Sequence, residues 1–333
     1  MKVLVTGAAG FIGGYVVEEL LARGYTVVGL DNLSKYGRPA RAPIEHERYT
    51  EVVGDAGNAE LLHELSAGCD HLIANAAMIG GVRYMSDLAY DILRENNRIV
   101  QTAADIGIAR RGQGLRKVTY VSSSMVYEKH DGAGFLEGDE RRVPPPATAY
   151  GFQKLSVEYY ARAAWSQHGV PYTIVRPFNC VGAGERWAQH ESTSSDQLQR
   201  MVRGHVIPDF VERALRCETP FRILGDGRQF RTFTYVRDMA RGIVLAMESE
   251  AARNDDFNLS GREGCTVADL ARLVWERVNP GLPMVVRHEP ALRDDVRVRH
   301  PDTSKAAKVL GFLPETPLHV MVDEVIEWVR EHA

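Results

Sequence analysis

Tyr150 and Lys154, in Tyr150-Gly151-Phe152-Gln153-Lys154, stand four residues apart and project from one face if the segment is helical. An ammonium beside a phenol favours the phenolate and draws its pKa from about 10 toward neutrality. Such a phenol can take a proton from a hydroxyl while a hydride leaves the attached carbon. The triplet Ser122-Ser123-Ser124 offers a hydroxyl that could hold the same oxygen from the C-terminal end of a strand, where α/β sheets place their ligands. By itself Tyr-x-x-x-Lys arises often by chance, and its meaning depends on what accompanies it.

It is accompanied by Thr6-Gly7-Ala8-Ala9-Gly10-Phe11-Ile12-Gly13, glycine-rich and placed between an apolar strand and a helical pattern. Glycines at such a turn let the backbone approach a pyrophosphate, which then sits at a positive helix N-terminus. The spacing is G-x-x-G-x-x-G, and three glycines there can also be merely structural. A second strand ends at Asp31, 18 residues past Gly13. A carboxylate so placed can accept hydrogen bonds from both hydroxyls of an adenosine ribose and would repel a 2′-phosphate, which favours NAD over NADP. Its alternative reading is an aspartate that caps a loop. The positive charge of NAD⁺ would push the phenol in the same direction as the lysine does.

These groups need a scaffold, and the hydrophobic pattern supplies one. Strands are expected at Val3–Val5, Thr26–Leu30, Val52–Val53, Leu72–Ala74, Lys117–Ser122 and Tyr172–Arg176. Helices are expected at Phe11–Arg23, Leu61–Leu65, Leu88–Ile108 and Ala149–His168. The alternation predicts βαβ units with right-handed crossovers, an α/β doubly wound, mostly parallel sheet of Rossmann type. After Pro177 the pattern loosens into a polar loop at Gly182–Ser195. Helices then follow at Val206–Arg216, Thr234–Glu248, Val267–Arg277 (capped by Thr266), Thr303–Leu310 and Leu318–His332, with strands at Phe221–Leu224 and Phe257–Ser260. Residues 1–180 are expected to form the nucleotide domain, with 232–260 returning to it. Residues 181–231 and 261–333 are expected to form a smaller mixed α/β lobe for a substrate.

The 333 residues carry 40 Lys+Arg against 44 Asp+Glu, a formal charge of −4, with 44% hydrophobic residues. That composition excludes a disordered chain and argues against a nucleic-acid partner held by bulk charge. Cys69, Cys180, Cys217 and Cys265 form no C-x-x-C pair, so no metal site is expected and buried free thiols are. The start MKVLVTG shows no leader pattern and no apolar run is long enough for a membrane span, so a cytoplasmic protein without membrane contact is expected.

Taken together, the motifs resemble the extended short-chain dehydrogenase/reductase family, the NAD-dependent nucleotide-sugar epimerases, dehydratases and decarboxylases. The resemblance runs through the glycine turn, Asp31-Asn32, Gly54-Asp55, Asn75-Ala76-Ala77, Asn97, Ser122–Tyr127, Tyr150–Lys154 and Arg176–Gly182. It continues through Ile223–Ala240 and Pro301–Phe312. It implies Tyr150 as base, Lys154 as its partner and Ser123 as the hydroxyl contact. It implies NAD contacts from Gly7, Gly10, Phe11, Ile12, Gly13, Asp31, Asn32 and Ser34. Asp55 and Ala56 would flank the adenine, with Asn75, Ala76, Ala77, Asn97, Ser122 and Pro177 also near the cofactor. For a nucleoside-diphosphate sugar it implies Gly80, Gly81, Ser123, Ser124, Met125, Asn179, His205 and Val206. Arg231 and Arg293 are expected on the diphosphate, because guanidinium forks match phosphate geometry.

In that family the opening step is usually oxidation at sugar C4. Dehydratase relatives carry Asp-Glu where this chain has Ser124-Met125, 3,5-epimerising relatives a Cys at Met125, and decarboxylases usually a Glu there. Met125 transfers no protons, which leaves C4 epimerisation as the first expectation and uronate decarboxylation as the second. A catalytically silent NAD-binding regulator is the reading from another class. Gly80-Gly81 resembles the loop of 3,5-epimerising relatives and could admit a bulky or charged C5 substituent. Glu128 stands where the family more often has glycine. Relatives dimerise through two helices per subunit, here Leu88–Ile108 and Ala149–His168, so a homodimer is expected.

Overall fold

A computed structural model describes residues 1–35, 43–80, 82–130, 132–185, 205–291 and 296–332. The first body is built from β1 (Lys2–Thr6), α1 (Phe11–Ala22), β2 (Thr26–Asp31), β3 (Tyr49–Val53), α2 (Ala59–Leu65), β4 (His71–Ala74) and α3 (Val82–Asp87). It continues with α4 (Ala89–Arg110), β5 (Lys117–Val121), a 3-10 turn at Ser124–Tyr127, α5 (Ala149–His168), β6 (Tyr172–Pro177) and β7 (Cys180–Val181). The remainder comprises α6 (Val206–Leu215), β8 (Phe221–Leu224), β9 (Phe230–Thr232), β10 (Thr234–Tyr235) and α7 (Val236–Glu248). After these come β11 (Asp255–Leu259), β12 (Gly264–Thr266), α8 (Val267–Val278), β13 (Val286–Glu289), β14 (Val298–Arg299), α9 (Ser304–Leu310) and α10 (Leu318–His332).

Among the described residues, seven strands form one sheet in the order β11-β6-β5-β4-β1-β2-β3, every pair parallel. The chain winds from β1 through β2 and β3, then restarts at β4 and winds the other way. The direction changes between β1 and β4, so a crevice opens beyond the C-terminal ends of those strands. Both faces are covered, which is why the central strands are apolar throughout rather than alternating. On one face α1, α7 and α9 bury Val16, Leu20, Ile243, Ala306 and Phe312. On the other, α2, α4 and α5 bury Leu62, Val100, Ile106, Val157 and Ala161.

A separate core joins α6, α8 and α10 around Phe210, Phe221, Trp275 and Val325. It carries the short sheets β12-β9-β14 and β13-β8. The short strands β10, β12, β13 and β14 do not stand out in the hydrophobic pattern. Thr234–Glu248, expected as one helix, opens with the two strand residues of β10 and turns helical at Val236. There Thr234 pairs with Cys180 of β7, its N–H donating to the Asn179 carbonyl at 3.1 Å and its Oγ1 to the Phe178 carbonyl at 2.7 Å. The 232–260 segment contributes β11 to the large sheet beside β6. Helix α9, within the stretch expected in the second lobe, packs into the first body, where Lys305 reaches Asp255 at 2.6 Å.

All four cysteines are free, Cys69 buried but Cys217 exposed, so burial does not explain every thiol. Among the described residues no helix is long and apolar enough to cross a membrane.

Candidate active site

The crevice at the sheet's switch point is a cavity of about 1050 Å³, running from the glycine turn to the second lobe. At its first end the glycine turn is shaped by close backbone approach. Gly7 adopts φ +71°, and a Cβ there would lie 2.9 Å from Ala76 Cα. A Cβ at Gly13 would lie 1.9 Å from the Gly7 carbonyl oxygen. Thr6 Oγ1 accepts from the backbone N–H groups of Asn75 and Ala76, both at 3.2 Å, tying the ends of β1 and β4 together. Asn75 Nδ2 donates to the Gly7 carbonyl at 3.3 Å. No side chain caps α1, and its first turn carries no acidic residue. Its leading N–H groups therefore suit an anion such as a pyrophosphate.

Asp31 lines the same end. Its carboxylate accepts from Ala9 N–H at 3.0 Å and Leu33 N–H at 2.8 Å. Burial raises its pKa above the ordinary value, and those backbone donors oppose the rise. The loop-capping reading of Asp31 is thus present in the structure, and the same residue faces the cavity. Asn32 and Ser34 also line it, as do Asp55, Ala56, Ala76 and Ala77. Asp55 pairs with Arg98 at 2.6 Å and accepts from Gly57 N–H at 2.8 Å.

Asn97 is a correction. It does not line the cavity; its Oδ1 accepts from Ser156 Oγ at 2.7 Å, joining α4 to α5. One residue rotates by about 100° on a helix, so it is Asn96 that faces the sheet. Buried Asn96 accepts from Met78 N–H at 2.6 Å and donates to the Met78 carbonyl at 3.0 Å, pinning the chain that leads to Gly80.

At the cavity's centre Ser123 caps the 3-10 turn, its Oγ accepting from Met125 N–H at 3.2 Å. Tyr150, in the first turn of α5, lies near enough to Ser123 for that hydroxyl to favour its phenolate. Lys154 lies one turn on, its Nζ 5.9 Å from the Tyr150 ring centroid and donating to the Val121 carbonyl at 2.9 Å. Burial pushes the phenol up to about 12, with Ser123 and Arg299 opposing, and pulls the Lys154 ammonium down to about 8. The expected lowering of the phenol by Lys154 is therefore absent from the protein alone. Desolvation penalises the charged form of both groups, and the ammonium is engaged with a carbonyl. A further positive charge in the cavity would favour the phenolate.

Behind this centre lies a buried ionic lattice. Arg176 grips Glu158 through Nε and Nη2, each at 2.7 Å, and donates from Nη1 to the Tyr127 hydroxyl at 2.7 Å. Ser122, expected at the cofactor, lines the cavity but turns its hydroxyl away, donating to Glu158 at 2.8 Å. Carboxylate oxygens of Glu140, Glu158 and Asp256 lie within 4.8 Å of one another. Arg176 and Arg162 pair with all three, so their charge is met by guanidinium groups.

Toward the second lobe, Gly80, Ser124, Met125, Pro177, Asn179, His205, Val206 and Arg231 line the cavity. Asn179, at φ +32°, turns its amide to the Thr232 carbonyl at 2.7 Å. His205 Nδ1 pairs with Glu185, and Asp209 with Arg213 at 2.9 Å; burial pushes the Asp209 carboxyl up to about 7. Gly81 and Arg293 lie outside the described residues, as does most of the Gly182–Ser195 loop.

Sequence reasoning missed Arg299. It is the register partner of Arg231 across the parallel β9–β14 pair, and both side chains line the cavity. The alternation Arg297-Val298-Arg299 is the only signal that could have found it.

A family model described as the NAD-dependent epimerase/dehydratase family matches residues 3–260. The chain belongs to that family. Its cofactor is NAD, and the glycine cradle, the uncapped start of α1 and Asp31 fit that dinucleotide. The chain is 29% identical to a dTDP-4-dehydro-6-deoxy-D-allose reductase of Streptomyces bikiniensis, over 99% of this chain and 96% of that protein. It is 28% identical to UDP-glucuronic acid decarboxylase 2 of Arabidopsis thaliana, over 96% of this chain and 66% of that protein. Among solved structures it is similar to a UDP-glucose 4-epimerase of Thermotoga maritima, with a TM-score of 0.82 and 26% identity. That likeness covers 100% of this chain and 99% of the other. These relatives share one scaffold and are named for three activities, a reductase, a decarboxylase and an epimerase.

Proposed function

We propose that this family member is a nucleotide-sugar C4 epimerase acting on an NDP-hexose, NDP-hexuronate or NDP-heptose. The observation that carries this reading is the convergence of Ser123 and Tyr150 on one cavity beside Met125, a pair able to work on one hydroxyl. Bound NAD supplies the hydride acceptor and later the hydride donor. Tyr150 as phenolate accepts the proton of the C4 hydroxyl, and Ser123 donates a hydrogen bond to that oxygen. Lys154 holds positive charge 5.9 Å from the centre of the Tyr150 ring. Arg231 and Arg299 line the wall that a diphosphate or another anionic substituent would meet. Once the 4-keto sugar has turned over, Tyr150 returns the proton to the oxygen and C4 is inverted. Met125 offers no acid or base for elimination at a neighbouring carbon.

A second reading, decarboxylation of an NDP-hexuronate, draws support from Arg299, whose guanidinium stands against Met125 and can hold a carboxylate. Oxidation at C4 makes that acid a β-keto acid, which loses CO₂ with little acid–base help. Incubation with UDP-glucuronate separates the two. A C4 epimer with no CO₂ supports the first; CO₂ and a pentose product overturn it in favour of the second.

A further inference from the structure

We propose that Glu128 is a positioning residue for the Ser123–Tyr150 pair, acting through Thr148 at the start of α5; this rests on the role proposed for Tyr150. Glu128 follows the 3-10 turn and is buried, its N–H donating to the Met125 carbonyl at 3.2 Å. Its carboxylate accepts from Ala147 N–H at 3.2 Å, from Thr148 N–H at 3.3 Å and from the Thr148 hydroxyl at 2.6 Å. Thr148 is the N-cap of α5, and its Oγ1 accepts from Gly151 N–H at 3.1 Å. Because the carboxylate takes the hydroxyl proton, an Oγ1 lone pair is turned toward the helix. The orientation of the cap is thus set by Glu128.

The consequence is a closed frame. Ser123 lies on the chain between Val121 and Glu128, and Tyr150 on the chain between Thr148 and Lys154. Lys154 Nζ to the Val121 carbonyl closes one end of the frame, and Glu128 to Thr148 closes the other. Between the ties the helix sits directly on the turn. A Cβ at Gly151 would lie 3.0 Å from Glu128 Oε2 and from the Met125 carbonyl, and 2.7 Å from Pro146 Cβ. A displacement at Glu128 therefore reaches Tyr150 without slack. Ala147, Thr148 and Ala149 also line the cavity, so the same tie shapes the wall beside the phenol.

The test uses the full chain with Glu128→Ala, Glu128→Gln, Thr148→Val and the Glu128→Ala/Thr148→Val double variant. Backbone hydrogen exchange is followed on peptides covering residues 145–155, and turnover on UDP-glucuronate and UDP-glucose with NAD. In Glu128→Ala and Thr148→Val, exchange should quicken in that peptide and stay unchanged in peptides of α1. A misplaced reacting group costs rate rather than binding, so kcat should fall about 30-fold in Glu128→Ala with KM held within about 3-fold. Glu128→Gln keeps the shape and should recover most of that loss, and the double variant should be no slower than Glu128→Ala. Unchanged exchange in 145–155 overturns the proposal. So does a lowered Tm with full kcat, or single losses that multiply in the double variant. Should the wild type turn over neither sugar, the exchange result alone decides whether Glu128 holds the helix start, and the role of Tyr150 is judged separately from Tyr150→Phe.

Discussion

Arg299 Nη2 lies 2.8 Å from Met125 Sδ, inside the cavity and close enough to Tyr150 to oppose the burial that raises its pKa. A thioether is a weak neutral acceptor, whereas an anionic substituent on the sugar would give that guanidinium a charged acceptor inside the cavity. Arg299→Gln is accordingly expected to lower kcat/KM for UDP-glucuronate by about 10- to 100-fold, the worth of a hydrogen bond to a charged group. The loss for UDP-glucose should stay within about 3-fold. Paired kinetics on the two sugars check this, and equal losses on both would show that Arg299 reads the shared diphosphate instead.

Tyr150→Phe removes the proposed base and should reduce turnover by about 10³-fold, within the range for a positioned acid–base group. Near-wild-type turnover would refute the phenol mechanism and favour a binding role without catalysis. Lys154 adds a pH signature. Its ammonium, drawn down to about 8 by burial, carries its charge below that pH and loses it above. That charge is absent from the balance on the phenol in the protein alone, but with cofactor and substrate bound it should favour phenolate, so Lys154→Met should shift the acid limb of the kcat profile to higher pH as well as lowering it. An acid limb that keeps its midpoint in the variant would assign Lys154 to cofactor binding alone.

Asp31 has two jobs that one substitution can separate. Its carboxylate caps the glycine turn through Ala9 N–H and faces the cavity. Asp31→Asn keeps an acceptor for the turn but removes the negative charge that a 2′-phosphate would meet. NAD should bind about 10-fold more weakly, the worth of a hydrogen bond of about 1.4 kcal/mol, while discrimination against NADP narrows. Calorimetric titration of both dinucleotides measures it, and an unchanged NAD/NADP ratio would confine Asp31 to loop capping.

The cofactor half of the site was legible in the sequence because its devices are local. A glycine turn, a carboxylate ending the next strand and a Tyr/Lys pair at helical spacing announce themselves within a few residues. The substrate half is assembled from distant pieces. Arg299 reaches the cavity because a two-residue strand pairs with β9, and a segment that short has no periodicity to read. That Asn96 rather than Asn97 faces the sheet is a matter of helix phase, which adjacent asparagines leave open in a sequence. Glu128 was visible as an oddity, but its partners at residues 147 and 148 belong to another element. Ser122 was placed by its strand-end position, whereas its hydroxyl follows the buried Glu158.

The remaining prediction concerns assembly. Phe152 and Tyr159 are 48% and 61% exposed on α5, and Tyr90 is 73% exposed on the neighbouring α4. Phe152 and Tyr159 are seven residues apart, two helical turns, and so share a face. Large exposed aromatic side chains on two packed helices offer a surface that a second copy of the same pair could cover by two-fold symmetry. A stable dimer needs about 800 Å² buried per partner, an area two helices of this length can supply. Light scattering should give about twice the 37.1 kDa chain mass for the wild type. Phe152→Glu/Tyr159→Glu, which buries like charges across the two-fold, should give the single-chain mass with the NAD site intact. A wild type that stays monomeric at about 10 µM, well above the Kd of a standard-sized interface, would remove the basis for pairing through α4 and α5.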